Sequence, residues 1–190
     1  LIEILKRGIK RQLRELGILT HLVEENIDRL DPGVVEAGHQ PISFGGTSLI
    51  LNKVACIKRL SEVYEADPLA HLLYVADYDG VQSELINVRV PSLSPRGLLL
   101  SMPIAQEMFG VPIYKLRNPS ETWFRRAIDK ILNNYKGLLN DAAPHIREAK
   151  LQNLERALTI LKGAYYSSEN VSEWSTKILG TLVNIEADLG

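Results

Sequence analysis

The sequence predicts an α/β fold: a parallel sheet flanked by helices, with extra helical segments at the N-terminus and in the C-terminal third. Three observations carry this. Val34–Ala37 and His71–Ala76 are apolar runs of strand length, and the stretch between them repeats its apolar residues at helical spacing. A glycine-rich loop, Gly38 to Ser48, follows the first run directly, as in a β-loop-α unit. From Pro119 onward the apolar residues recur three and four apart, the period of a helix.

The elements follow in order. Ile2, Leu5, Ile9, Leu13, Leu16, Val23, Ile27 and Leu30 fall on one helical face, so residues 2 to 30 form one helix or two. Gly17 can end the first and Thr20 cap the second, and Asp31-Pro32-Gly33 is a stop. After the strand and the glycine loop, Ile50, Val54, Ile57, Leu60 and Val63 define a helix up to Asp67-Pro68. The run at 71–76 is continuously apolar, which suits a strand buried on both faces of a parallel sheet. Ile86–Val90 alternates like a further strand, with Leu98–Leu100 as its candidate partner across a turn at 91–97. Three helical stretches close the chain, marked by Trp123 to Tyr135, Ile146 to Leu161 and Trp174 to Ile185, and Pro144 suits a helix start. Together these predict a single domain over 1–190: a helical segment at 1–31, a βαβ core at 32–116, and a helical region at 117–190 that hands over to a further strand. The chain opens on Leu1 and is expected to be a fragment of a longer protein.

Composition narrows the function classes. The chain has 190 residues, 45% hydrophobic and 24% charged, which fits an ordinary globular domain and excludes disordered and collagenous ones. With 22 basic and 23 acidic residues the net charge is −1, so no global field attracts nucleic acid or an anionic membrane. Cys56 is the sole cysteine, which excludes an intrachain disulfide and points to a reducing compartment, the cytoplasm. On the apolar side of its helix it reads as a core residue. No apolar run approaches membrane-spanning length. Lys6, Arg7, Lys10, Arg11 and Arg14 form a basic side on the first helix, and without interleaved aromatics it reads as a solvated face. The apolar stripes of the first helix and of 146–165 exceed what a small sheet covers, so a homodimer is expected.

Two loops carry the candidate chemistry. Gly38, Gly45 and Gly46 let backbone amides approach a ligand, and Thr47 or Ser48 can cap a helix whose N-terminus favours an anion. The pattern is neither a P-loop nor a dinucleotide fingerprint, and a capped turn without a ligand fits it equally. His39 sits inside this loop, able to donate to a phosphate, to transfer a proton, or only to brace the loop. Lys53 lies in the helix, at the limit of reach. Asp77 and Asp79 follow the second strand, where open α/β sheets bind ligands, although Asp-x-Asp-Gly is also common turn chemistry. Both loops leave their strands at one edge and are expected to face each other across a single cleft. His21, His39, His71 and His145 lack metal-ligand spacing, so no metal is expected.

These motifs resemble the bacillithiol-biosynthesis cysteine-adding enzyme family. Val34–Glu62, VVEAGHQPISFGGTSLILNKVACIKRLSE, is similar to that family's opening strand, Gly-Gln-Gln-Pro loop, Gly-Gly turn and lysine-bearing helix. Tyr74–Val88, YVADYDGVQSELINV, resembles its second strand ending in Asp-His-Asp, followed by acidic residues and Asn. Ala164–Gly190 resembles the helix that leads the family back into its sheet. The match covers the N-terminal portion of a longer family member. It implies a Rossmann-like core akin to the nucleotidylyltransferase superfamily, with substrate phosphates against a His- and Gly-containing loop and a helical part that makes dimers. It also implies a ligase or transferase that joins cysteine through an amide to a glucosaminyl malate, using ATP or another nucleotide.

Carried over by position, Gly38, Gln40, Pro41, Gly45, Gly46 and Lys53 match the family's first motif and Asp77, Asp79 and Asn87 its second. With the reading of the loops, His39, Asp77 and Asp79 are the candidate catalytic residues. Gly38, Gln40, Gly45, Gly46, Thr47 and Lys53 would bind the nucleotide, and Tyr78 and Asn87 the small-molecule substrate. His39 stands where the family has glutamine, Tyr78 where it has histidine, and one residue fewer precedes Asp77. The expected protein has neither a nucleic-acid nor a membrane partner. The alternatives are a non-catalytic nucleotide- or sugar-binding interaction domain and a helical oligomerisation scaffold.

Overall fold

The computed structural model describes residues 1–46, 48–63 and 68–190. The chain is mixed α/β, and helix predominates over strand. It forms two compact units: the first comprises Leu1–Pro41, Gly45–Asp77 and Ser175–Gly190, the second Ile42–Phe44 and Tyr78–Trp174.

The first unit begins with α1 (Ile2–Glu15) and α2 (His21–Asp28). Gly17 turns the chain at φ 74°, a left-handed conformation glycine adopts without strain. The Thr20 hydroxyl then caps α2 by accepting from the Val23 amide at 3.3 Å. The basic side of α1 is not simply solvated. Lys6 is buried, donates to the Asp28 carbonyl and pairs with Asp31, whose carboxylate holds its ammonium above the usual range. Lys10 pairs with Asp28 at 2.7 Å and Arg14 with Glu24 at 3.3 Å. The acids of α2 and the turn after it thus take up the charge of Lys6, Lys10 and Arg14, while Arg7 and Arg11 are exposed and bond within α1, and Ile4 and Leu5 stay exposed.

A parallel β-α-β unit follows: β1 (Val34–His39), α3 (Ser48–Ser61) and β2 (Ala70–Val75). The strands pair in parallel from Val34 opposite Ala70 to His39 opposite Val75. Helix α3 packs across both strands through Ile50, Val54, Ile57 and Ser61, all buried. Burying each of the three aliphatic side chains contributes about 1.5–3 kcal/mol. The stripe continues to Ser61 rather than to Leu60 and Val63, which are exposed, and Cys56, one step off the stripe, is exposed rather than in the core. Nor is β2 buried on both faces: Leu72 and Leu73 are half-buried and Tyr74 is exposed.

Polar clamps complete this unit. The Asn26 amide donates to the His71 carbonyl at 2.7 Å and accepts from the His71 amide at 3.0 Å, pairing the backbone of β2 from the side. The His71 ring lies between the Ser61 hydroxyl at 3.3 Å and the Gly190 carbonyl at 2.8 Å, and burial pushes its pKa down.

In the second unit a short helix α4 (Ser83–Ile86) leads into an antiparallel hairpin of β3 (Asn87–Val90) and β4 (Leu98–Ser101). Helices α5 (Glu121–Leu138) and α6 (Pro144–Tyr166) follow. Helix α7 (Val171–Gly180) begins in this unit, and from Ser175 onward it belongs to the first unit, as does the π-helical turn at Thr181–Glu186 that it runs into. An aromatic cluster holds this unit. Phe124 stacks on Tyr165 with centroids 3.9 Å apart, and Trp174 meets Phe44 edge-on at 5.3 Å. The Tyr165 hydroxyl donates to the Pro119 carbonyl at 2.6 Å, joining the end of α6 to the start of α5.

Candidate functional site

The carboxyl edge of the β1–β2 sheet is the place where the first unit gathers polar side chains. The Ala76 amide donates to the His39 carbonyl at 2.9 Å, extending the ladder one residue past β2. The Asp77 amide then bonds the Val75 carbonyl at 3.0 Å, turning the chain at once. His39 and Asp77 therefore leave adjacent strands at the same edge, as expected.

His39 and Lys53 are fixed by backbone carbonyls. His39 Nδ1 lies 2.9 Å from the Gln40 carbonyl, which only accepts, so this nitrogen carries a proton. In the neutral ring Nε2 is then the acceptor. The ring can take a proton there, and it donates to an anion from Nε2 only when protonated, a restriction the sequence did not reveal. Lys53, expected at the limit of reach, donates to the Gly38 carbonyl at 3.2 Å. Its position in α3 places the ammonium at the end of β1, one residue from His39.

The glycines have distinct causes. A Cβ on Gly38 would come within 2.3 Å of Tyr74 Cζ, because the two residues are register partners and the phenol lies across the glycine. Tyr74 is thus a neighbour of the site that sequence reading missed; the pairing of a glycine with an aromatic becomes visible only once the register is known. Phe44, Gly45 and Gly46 have φ of 55°, 82° and 68°, three successive left-handed residues. Gly45 also backs onto Ile178 and Leu182, whose side chains a Cβ would meet at 3.0 and 3.2 Å. A side chain at 45 would thus make these two neighbours give by a few tenths of an ångström, in addition to the strain of its positive φ. Thr47 lies outside the described residues, and α3 is described from Ser48.

Gln40 belongs to the first unit, and Tyr78, Asp79 and Asn87 belong to the second. Tyr78 is exposed. The Asp79 carbonyl accepts from the Ile113 amide at 3.0 Å, tying the turn after Asp77 to a short helical turn at Ile113–Lys115. Asn87 opens β3 and accepts from the hydroxyl of its cross-strand partner Ser101 at 2.8 Å. That bond gives Asn87 a structural task.

The edge of the first unit thus brings together an imidazole with a defined proton, an ammonium and the start of an aspartate-bearing turn. Such a set can hold an anionic group and accept a proton from a nucleophile. Among the described residues no cluster of His, Cys, Asp and Glu has the makings of a metal site, and no helix is long and apolar enough to cross a membrane. No family model and no curated protein matches the chain.

Proposed function

We propose that the chain is the nucleotide-binding part of a ligase or transferase with a Rossmann-like core, one that forms an amide between the carboxylate of cysteine and the amine of an amino-sugar conjugate. The observation that carries this reading is the sheet edge where His39 and Asp77 leave adjacent strands and Lys53 reaches the Gly38 carbonyl. A carboxylate does not condense with an amine unaided, so a nucleotide such as ATP supplies the activation by transferring a phosphoryl or nucleotidyl group to it. The amine then displaces that group, and one proton leaves the nitrogen as the C–N bond forms.

In this reading Lys53 exchanges the Gly38 carbonyl for a phosphate oxygen, a stronger partner because it is charged. His39 Nε2 takes the amine proton while Nδ1 stays on Gln40. Asp77 orients the amine or a sugar hydroxyl. The resemblance set out above supplies the substrate class, and the departures at His39 and Tyr78 place the base in the first loop rather than between the aspartates.

The test is to incubate the chain with ATP, cysteine and glucosaminyl malate and follow the amide by mass spectrometry, alongside calorimetric titration of ATP. Amide formation lost in His39→Ala supports the reading. Nucleotide binding without product would make the chain a non-catalytic binding domain, and no binding would remove the nucleotide altogether.

A further inference from the structure

The second unit contains a cavity of about 310 Å³ that lies outside the site described above. Its lining has two chemistries. Met102, Leu116 and Val171 line it and are 3%, 4% and 1% exposed, giving an apolar floor to which Met108 adds. Lys115 and Arg117 line it as well, and both are exposed. Among the described residues neither cation has a carboxylate within salt-bridge distance.

The wall is held by the backbone rather than by the cations. The Val171 amide donates to the Leu116 carbonyl at 2.9 Å, and Arg117 forms an isolated antiparallel bridge with Asn170. Lys115 lies over the Tyr114 ring at 5.6 Å. An occupant would therefore enter a largely preformed cleft, with little ordering cost. Its volume is at the small end of ligand pockets, which run from roughly 300 to 1,000 Å³. Two cations without a carboxylate partner beside an apolar floor select a ligand that is anionic at one end and apolar at the other. Guanidinium geometry favours a planar carboxylate, and methionine adapts its shape to an aliphatic chain.

We propose that this cavity binds a small carboxylate with an apolar body, the chain seated on Met102, Met108 and Leu116 and the carboxylate between Lys115 and Arg117. The site is independent of the sheet edge in the first unit and does not depend on the function proposed for it.

The test titrates the full chain with octanoate, octanol and acetate, read by backbone amide shifts. Octanoate should saturate and move the amides of Lys115, Arg117 and Val171, octanol should bind about tenfold more weakly, and acetate should not saturate. The double variant Lys115→Met, Arg117→Leu should lose about tenfold for octanoate and nothing for octanol. Should that variant not fold, the wild type decides by salt: octanoate affinity falls as ionic strength rises, while octanol affinity does not. Shifts elsewhere, equal affinity for octanoate and octanol, an unaffected folded variant, or salt-independent octanoate binding would each overturn the proposal.

Discussion

In the first unit α3 meets its sheet through Ile50, Val54 and Ile57, and the polar side chains bind backbone: Asn26 on His71, Lys53 on Gly38, His39 on Gln40. In the second unit Phe44, Phe124, Tyr165 and Trp174 pack ring on ring, and the candidate side chain Asn87 bonds another side chain, Ser101. The difference separates two kinds of polar group within one string of expected site residues. Lys53 rests on a carbonyl at a strand end, a contact that an incoming anion can replace, and His39 keeps Nδ1 on Gln40 and leaves Nε2 for an amine proton. Asn87 holds a hairpin together, and a ligand there would have to break it.

The packing side of that comparison is tested by truncation. Phe124 is 1% exposed and stacked on Tyr165, so Phe124→Ala should cost about 3–5 kcal/mol in chemical denaturation. Val54→Ala, at a smaller aliphatic contact 2% exposed, should cost about 2 kcal/mol. Equal losses would remove the contrast between an aromatic and an aliphatic core.

Next in size is Gly38→Ala. The added methyl meets the Tyr74 ring at 2.3 Å, and moving the ring should cost about 1–3 kcal/mol. A double-mutant cycle with Tyr74→Ala should recover most of that loss, since the second change removes the obstacle. Purely additive losses would mean that the backbone, rather than the ring, excludes a side chain at 38.

A smaller effect concerns pH. Burial lowers the pKa of His71 below its ordinary 6.5, so the unfolded chain binds the proton more readily than the folded one. Stability is therefore complete above that value and falls as pH drops through 6.5 toward the lower folded-state pKa. His71→Gln should flatten that part of the stability profile measured by thermal melting. An unchanged slope would assign the acid sensitivity to other groups.

Much of the scaffold was legible before any coordinates. Helical spacing located α1, α2, α3 and the last three helices, and Gly17, Thr20 and Pro144 marked the end of α1 and the starts of α2 and α6 because each acts through local backbone chemistry. The parallel pairing of β1 and β2 followed from the helix between them. What stayed hidden depends on long-range register. Ser61 displaces Leu60 and Val63 from the core because the helix face is set by where the sheet lies, and Lys6 is buried because the end of α2 offers it the Asp28 carbonyl and the turn after it the Asp31 carboxylate. At the site, His39, Asp77 and the glycines could be named from the sequence. The tautomer of His39, the reach of Lys53 and the phenol over Gly38 could not, since each rests on a carbonyl or a cross-strand partner that composition does not mark.

The most direct test of the account is calorimetric titration of ATP into the wild type, Lys53→Met and Asn87→Ala, each first shown to melt as a folded protein. Lys53→Met should weaken binding by about 1–3 kcal/mol, the cost of losing a hydrogen bond between charged groups, while Asn87→Ala should leave the affinity within about 0.5 kcal/mol of the wild type. Equal affinity for the wild type and Lys53→Met, or a matching loss in Asn87→Ala, would contradict the assignment of the anion site to the β1–β2 edge.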